Sequence, residues 1–233
     1  MSASHSPAHD LRRGDSLLSA RVKEAGRAVL APIVRLAVAL HLTPNTITVI
    51  GFLVVAGAAV VVGTGNLLVG ALILTAGSLL DAVDGALARA TGAGSRFGSF
   101  LDSTLDRAAE AVLYGGIVAY YLLHSSQPTG PVLLALLALA GSFMVSYTRA
   151  RAESIGLAAS IGLAPRMERL VLTFAGIGLA GLGFGIALII ALALVAVLSV
   201  ATTVQRIWHV HRLSSAVPAV ATNEPARENQ QGG

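Results

Sequence analysis

Asp81-Ala82-Val83-Asp84-Gly85-Ala86-Leu87-Ala88-Arg89, followed after eight residues by Gly98-Ser99-Phe100-Leu101-Asp102-Ser103-Thr104-Leu105-Asp106, sets four carboxylates and a guanidinium where apolar sequence meets polar sequence. No Asp, Glu, Lys or Arg occurs between Leu36 and Leu80, and further apolar runs follow. These acids therefore stand at the edge of a low-dielectric slab. Carboxylates are costly there, and an ionisable cluster at a membrane boundary points to function.

The composition agrees. Of 233 residues, 55% are hydrophobic and 12% charged, against roughly 25% charged in ordinary soluble domains. Each apolar run is near the ~20 residues with which one helix crosses the hydrocarbon, and no alternating strands of a barrel are seen. The expected fold is all-α, with six transmembrane helices preceded by an amphipathic interfacial helix. Cysteine is absent, which excludes disulfides and thiolate metal sites, so any metal is held by oxygen or imidazole.

Along the chain, residues 1–14 read as a polar, disordered tail. Over residues 15–41, Leu17, Val22, Val29 and Ile33 alternate with Arg21, Lys23, Arg27 and Arg35. That predicts a basic amphipathic helix on the membrane surface; four cations disfavour the start of a spanning helix. Thr43 as a cap and Pro44 in the first turn open the first span. The predicted membrane domain, residues 42–212, has spans near 45–62, 67–89, 97–123, 131–151, 168–182 and 184–208. Between the last two spans only glycines punctuate the chain. The connection over residues 154–166 is apolar enough to rest at the interface, and residues 213–233 read as a disordered tail.

All 16 Lys and Arg residues fall before the first span, at the second-to-third and fourth-to-fifth connections, or at the end of the chain. The three turns on the opposite side hold none. The positive-inside rule then predicts a multi-pass protein of the cytoplasmic membrane with both termini and the acidic motif on the cytoplasmic side.

Asp81 and Asp84 are spaced i, i+3, and Asp102 and Asp106 i, i+4, so each pair shares one helical face. Facing pairs would repel unless cations lie between them. Hard oxygen donors suit Mg²⁺ or Mn²⁺, and two such ions form the clamp used in phosphoryl transfer. Gly85 and Gly98 leave room for a ligand near the backbone, and Arg89 can bind a phosphate. The plainer alternative is that the acids are partners for Arg89, Arg96 and Arg107.

The stretch from Asp81 to Asp106 matches the signature of the CDP-alcohol phosphotransferase family at every fixed position. The six spans, the basic amphipathic segment and the Thr43-Pro44-Asn45-x-x-Thr48 entry are also similar to that family. Members transfer a substituted phosphate from a CDP-linked lipid or alcohol to an acceptor hydroxyl and release CMP, using two divalent ions. The resemblance implies that Asp81, Asp84, Asp102 and Asp106 ligate two Mg²⁺ or Mn²⁺ ions and that Asp106 is also the general base. It implies CDP contacts from Asn45, Thr48, Gly85 and Arg89, with Ser95 as a further candidate. It implies a homodimer as well. CDP-diacylglycerol, a phosphorylated small alcohol and membrane lipid are the expected partners, and no nucleic-acid polymer is expected.

Ser146-Tyr147-Thr148-Arg149-Ala150-Arg151, with Arg166 and Arg169, resembles the branch that makes phosphatidylinositol phosphate from CDP-diacylglycerol and inositol 1-phosphate. Arg149, Arg151, Arg166 and Arg169 would then bind the acceptor phosphate. Positive-inside charge alone also accounts for these arginines. Two features depart from the branch: Arg149 stands where lysine is common, and no proline separates Arg166 from Arg169. Glycerol 3-phosphate is the rival acceptor. From another class, a cation-coupled transporter would use intramembrane acids, but its site belongs near the midplane of repeated halves, and no internal repeat is seen.

Overall fold

The structure, a computed structural model, describes residues 31–92 and 94–216. Residues 1–30, with the expected N-terminal tail and the first part of the amphipathic helix, lie outside the described residues. So does most of the expected C-terminal tail, residues 217–233. Among the described residues the chain is helical with no strand: a helical segment over residues 31–39, then α1 (Pro44–Gly63), α2 (Leu67–Thr91), α3 (Arg96–His124), α4 (Thr129–Ser154), α5 (Arg166–Gly181) and α6 (Ile186–Ala216).

The helix ends follow local chemistry. Thr43 caps α1 by accepting from the Thr46 N–H at 3.2 Å, with Pro44 in the first turn. α2 ends on Gly92 at φ +65°, the left-handed position that stops helices without steric cost. Ser95 caps α3, its Oγ accepting from the Gly98 N–H at 2.9 Å. α6 runs through Ala216, into the stretch expected as tail, because residues 213–216 contain neither proline nor glycine to break it.

Four helices, α1, α2, α4 and residues 186–215 of α6, are long and apolar enough to cross a membrane. The other two fall short for different reasons. α5 has 16 residues, about 24 Å at 1.5 Å per residue. α3 has 29 residues, but Arg96, Asp102, Asp106, Arg107 and Glu110 occupy its first half. Their outer faces are apolar all the same: Leu123 is 72% exposed on α3 and Val171 60% on α5.

Each helix contributes to one core, including Val62, Leu74, Leu113, Ala138, Ile177 and Leu192. Lipid tails are as apolar as leucine, so close packing rather than water exclusion holds such helices together. Small residues permit it. A Cβ at Gly116 would collide with the backbone of Ala59, so α1 and α3 meet backbone to backbone there. A Cβ at Gly176 would lie 2.5 Å from the Ala191 methyl, which brings α5 equally close to α6. A smaller cluster, Ala37, Ile47, Val83 and Leu87, seats the segment 31–39 against the start of α1 and the last turns of α2.

The connection between α4 and α5 is fixed to α6. Thr202 Oγ1 accepts from the Ala164 N–H at 3.1 Å, and Arg206 Nε donates to the Ile161 carbonyl at 2.8 Å. Arg206 also donates to the Val145 carbonyl on α4. One buried arginine thus fastens the end of α6 to two other parts of the chain and places the first turn of α5.

Candidate active site

The polar residues gather at one end of the bundle, supplied by the beginnings of α1, α3 and α5 and the ends of α2, α4 and α6. Asp81 and Asp84 come from the last turns of α2, Asp102 and Asp106 from the first turns of α3. Two neighbouring cavities lie among them and share Thr48. One is lined by Asp84, Asp102, Asn45, Gly85, Ser95 and Gly98. The other runs from Asp81, Asp106, Glu110 and Arg166 inward along Phe52, Val55, Leu113 and Phe174.

Asp84 is buried, and its Oδ2 accepts a 2.7 Å hydrogen bond from Thr48 Oγ1. Asp81 and Asp106 meet a guanidinium: Arg166 Nη1 lies 3.3 Å from Asp81 Oδ2, and Nη2 lies 2.6 Å from Asp106 Oδ1. α5 thereby delivers a cation into the acid cluster from a position 85 residues beyond Asp81. Arg89, Arg96 and Arg107 do not pair with the four acids among the salt bridges of the described residues.

The donor set fits divalent ions chemically, since four carboxylates supply hard oxygen ligands, and Arg166 already marks the place between Asp81 and Asp106 as one that holds positive charge. Among the described residues no three acidic or imidazole side chains converge on one point as they stand.

The residues expected to contact CDP border one cleft. Asn45, Thr48, Gly85 and Ser95 line it, and the exposed Arg89 lies over Gly85 at its rim. A Cβ at Gly98 would stand 2.9 Å from Asn45 Oδ1. That glycine makes room for the Asn45 side chain.

The four arginines divide. Arg166 is at the acids, one-quarter exposed along its side chain. Arg169 lies behind it, 2% exposed and fully engaged: Nε donates to Ser142 Oγ at 3.2 Å, Nη1 to the Ala164 carbonyl at 2.9 Å, and Nη2 to Glu110 Oε1 at 3.5 Å. Arg149 and Arg151 are exposed at the end of α4, bonded to Glu153 and Ser154 respectively.

Glu110 escaped the reading of the sequence. It is 2% exposed and faces three arginines: Arg107 at 3.1 Å, Arg169 at 3.5 Å and Arg166 at 3.6 Å. Its position four residues after Asp106 continues the Asp102–Asp106 face of α3, a signal that i, i+4 counting could have carried further.

Fold and site together define a helical membrane protein whose charged chemistry is collected at one end of the bundle. The chain belongs to the CDP-alcohol phosphatidyltransferase family, whose family model matches residues 41–205. It is similar to the phosphatidylinositol phosphate synthase of Streptomyces avermitilis, 37% identical over 92% of this chain and 91% of that protein. The archaetidylinositol phosphate synthase of Pyrococcus horikoshii is 41% identical over 72% of this chain and 84% of the relative. Two solved structures of Mycobacterium tuberculosis phosphatidylinositol phosphate synthase share the fold at 31% identity. The one with CDP-DAG bound has a TM-score of 0.74 and covers 88% of this chain and 99% of that one. The one in complex with manganese and citrate has a TM-score of 0.73 and covers 87% and 93%. This membership sets aside the transporter reading.

Proposed function

We propose that the protein transfers the phosphatidyl group of CDP-diacylglycerol to the hydroxyl of inositol 1-phosphate, giving phosphatidylinositol phosphate and CMP. One observation carries the reading on this chain: a carboxylate, Asp106, and a guanidinium, Arg166, meet at the mouth of a cavity that continues along apolar side chains. A carboxylate can take a proton from an acceptor hydroxyl, and a guanidinium can bind its phosphate. The names of the relatives support inositol phosphate as the acceptor.

CDP occupies the cleft of Asn45, Thr48, Gly85 and Ser95, with Arg89 at its rim. Asp81, Asp84, Asp102 and Asp106 would hold two Mg²⁺ or Mn²⁺ ions, which supply electrostatic stabilisation of the diphosphate and of the leaving oxygen. The acceptor oxygen bonds to the lipid-linked phosphorus, the bond from that phosphorus to CMP breaks, and Asp106 takes the hydroxyl proton. Arg166 binds the acceptor phosphate beside Asp106, Arg149 and Arg151 add positive charge at the same end of the bundle, and Arg169 holds the frame behind.

The same reading has all six helices crossing the cytoplasmic membrane, with residues 15–41 lying on its cytoplasmic face and residues 42–212 as the membrane domain. Both termini and the site are cytoplasmic, and the working unit is a homodimer. The distribution of the 16 basic residues supports that sidedness.

The test is to offer labelled CDP-diacylglycerol and Mg²⁺ to the purified protein with inositol 1-phosphate, free inositol, glycerol 3-phosphate or serine in parallel. CMP release with inositol 1-phosphate alone is the expected result. Release with free inositol or glycerol 3-phosphate, and none with inositol 1-phosphate, overturns the acceptor assignment.

A further inference from the structure

Three arginines converge on Glu110, and the arrangement around it is asymmetric. Oε2 is taken by Arg107 Nη1 at 3.1 Å. Oε1 faces Arg169 Nη2 at 3.5 Å and Arg166 Nε at 3.6 Å. Arg169 has a partner on every nitrogen and is shut away from solvent, so it cannot turn without abandoning Ser142, Ala164 and Glu110 together. Arg107, on the other flank, also donates to Ser146 on α4. Arg166 differs from both. Its Nε is buried with no hydrogen-bond partner and stands 3.6 Å from Glu110 Oε1 as an ion pair, while its two terminal nitrogens reach Asp81 and Asp106.

A guanidinium with an anion on its Nε side leaves its two terminal nitrogens as a planar fork, the geometry that matches a phosphate. Without an anion behind it, Arg166 would stand against the like charges of Arg107 and Arg169. Glu110 answers both needs.

We infer that Glu110 is a positioning residue for the acceptor: its charge, braced by Arg169 and Arg107, holds the Nε side of Arg166 by an ion pair, so that the Arg166 fork faces the phosphate of a phosphorylated alcohol beside Asp106. The inference rests on the placement of the acceptor phosphate at Arg166 argued above. It adds a residue that acts through the arginine. Because the phosphate belongs to the acceptor alone, loss of Glu110 weakens one substrate selectively. A purely structural ion cluster would affect both substrates or neither.

The test compares wild type, Glu110→Gln and Glu110→Asp for KM of inositol 1-phosphate and of CDP-diacylglycerol, each at saturation of the other, with melting temperature recorded alongside. Glu110→Gln keeps the shape and removes the charge. Its KM for inositol 1-phosphate is expected to rise on the order of tenfold while that for CDP-diacylglycerol stays within about twofold, the pattern of a lost binding interaction specific to one substrate. Glu110→Asp, which keeps the charge on a shorter stem, should fall between wild type and Gln, and it carries the comparison if the Gln variant does not fold. Unchanged KM values, an equal change for both substrates, or a Glu110→Asp variant no better than Gln overturns the inference. The acceptor profile of the wild type separates the two questions. If another phosphorylated alcohol is the acceptor, the KM comparison is made with that compound, and Glu110 is judged by the ratio of variant to wild type.

Discussion

At the scale of single residues, the site separates groups that react from groups that hold them. Asp106 lines one cavity together with Arg166, and in the proposed reaction it takes the hydroxyl proton. Asp106→Asn should therefore lower kcat by about 10²–10⁴-fold, the usual range for loss of a general base, measured as CMP release by protein with an unchanged melting temperature. Thr48 does a different job. Its hydroxyl donates to the buried Asp84, and Thr48→Val keeps the volume but leaves that carboxylate without the donor. The expected cost is about 1–3 kcal/mol for an unsatisfied buried polar group, read as a lower melting temperature without added metal and recovered by Thr48→Ser. The acids were legible in the sequence because i, i+3 and i, i+4 spacing is a local property of a helix. The partners were not: Arg166 reaches Asp81 across 85 positions and Arg169 reaches Glu110 across 59. No periodicity reports such pairings.

At the scale of helices, spacing between axes is set by what is missing. Gly115 and Gly116 are neighbours on α3, yet a Cβ at Gly115 meets nothing within 4 Å whereas one at Gly116 meets the Ala59 backbone. Gly116→Ala should force α1 and α3 apart and cost about 1–3 kcal/mol, the range for overpacking. Gly115→Ala should be neutral or slightly stabilising, since alanine is the better helix former. Melting of the two variants in the same detergent checks the contrast. Displacement of α1 would also move Asn45 and Thr48, so Gly116→Ala should raise KM for CDP-diacylglycerol. The sequence located the helices well but left the α5–α6 boundary loose, since a run of glycines and apolar residues has no capping signal. The structure ends α5 at Gly181 and begins α6 at Ile186, with Gly183 at φ +100° providing the reversal. The brevity of α5 has a purpose in the site: its first residue is Arg166, which enters the acid cluster from the helix end.

For the whole molecule, the placement of charge predicts sidedness. The chain has no cysteine, so single cysteines report cleanly. Introduced at the exposed Thr64 or Ser126, they should react with an impermeant maleimide from outside intact cells, and those at the exposed Thr91 or Ser154 only after permeabilisation. Chelation with EDTA should abolish CMP release, and added Mg²⁺ or Mn²⁺ should restore it, since among the described residues the four carboxylates pair with a single guanidinium, that of Arg166. By itself the sequence determined the helical membrane class, the family and the two pairs of acids. Hydrophobic run length and helical periodicity are short-range properties, written in consecutive residues. Only the tertiary structure decided which arginine meets the acids, which is locked behind it, and that Glu110 joins them. Those choices depend on how α3, α4 and α5 pack side by side, and at a low-dielectric boundary each buried charge must find its partner across helices rather than along one.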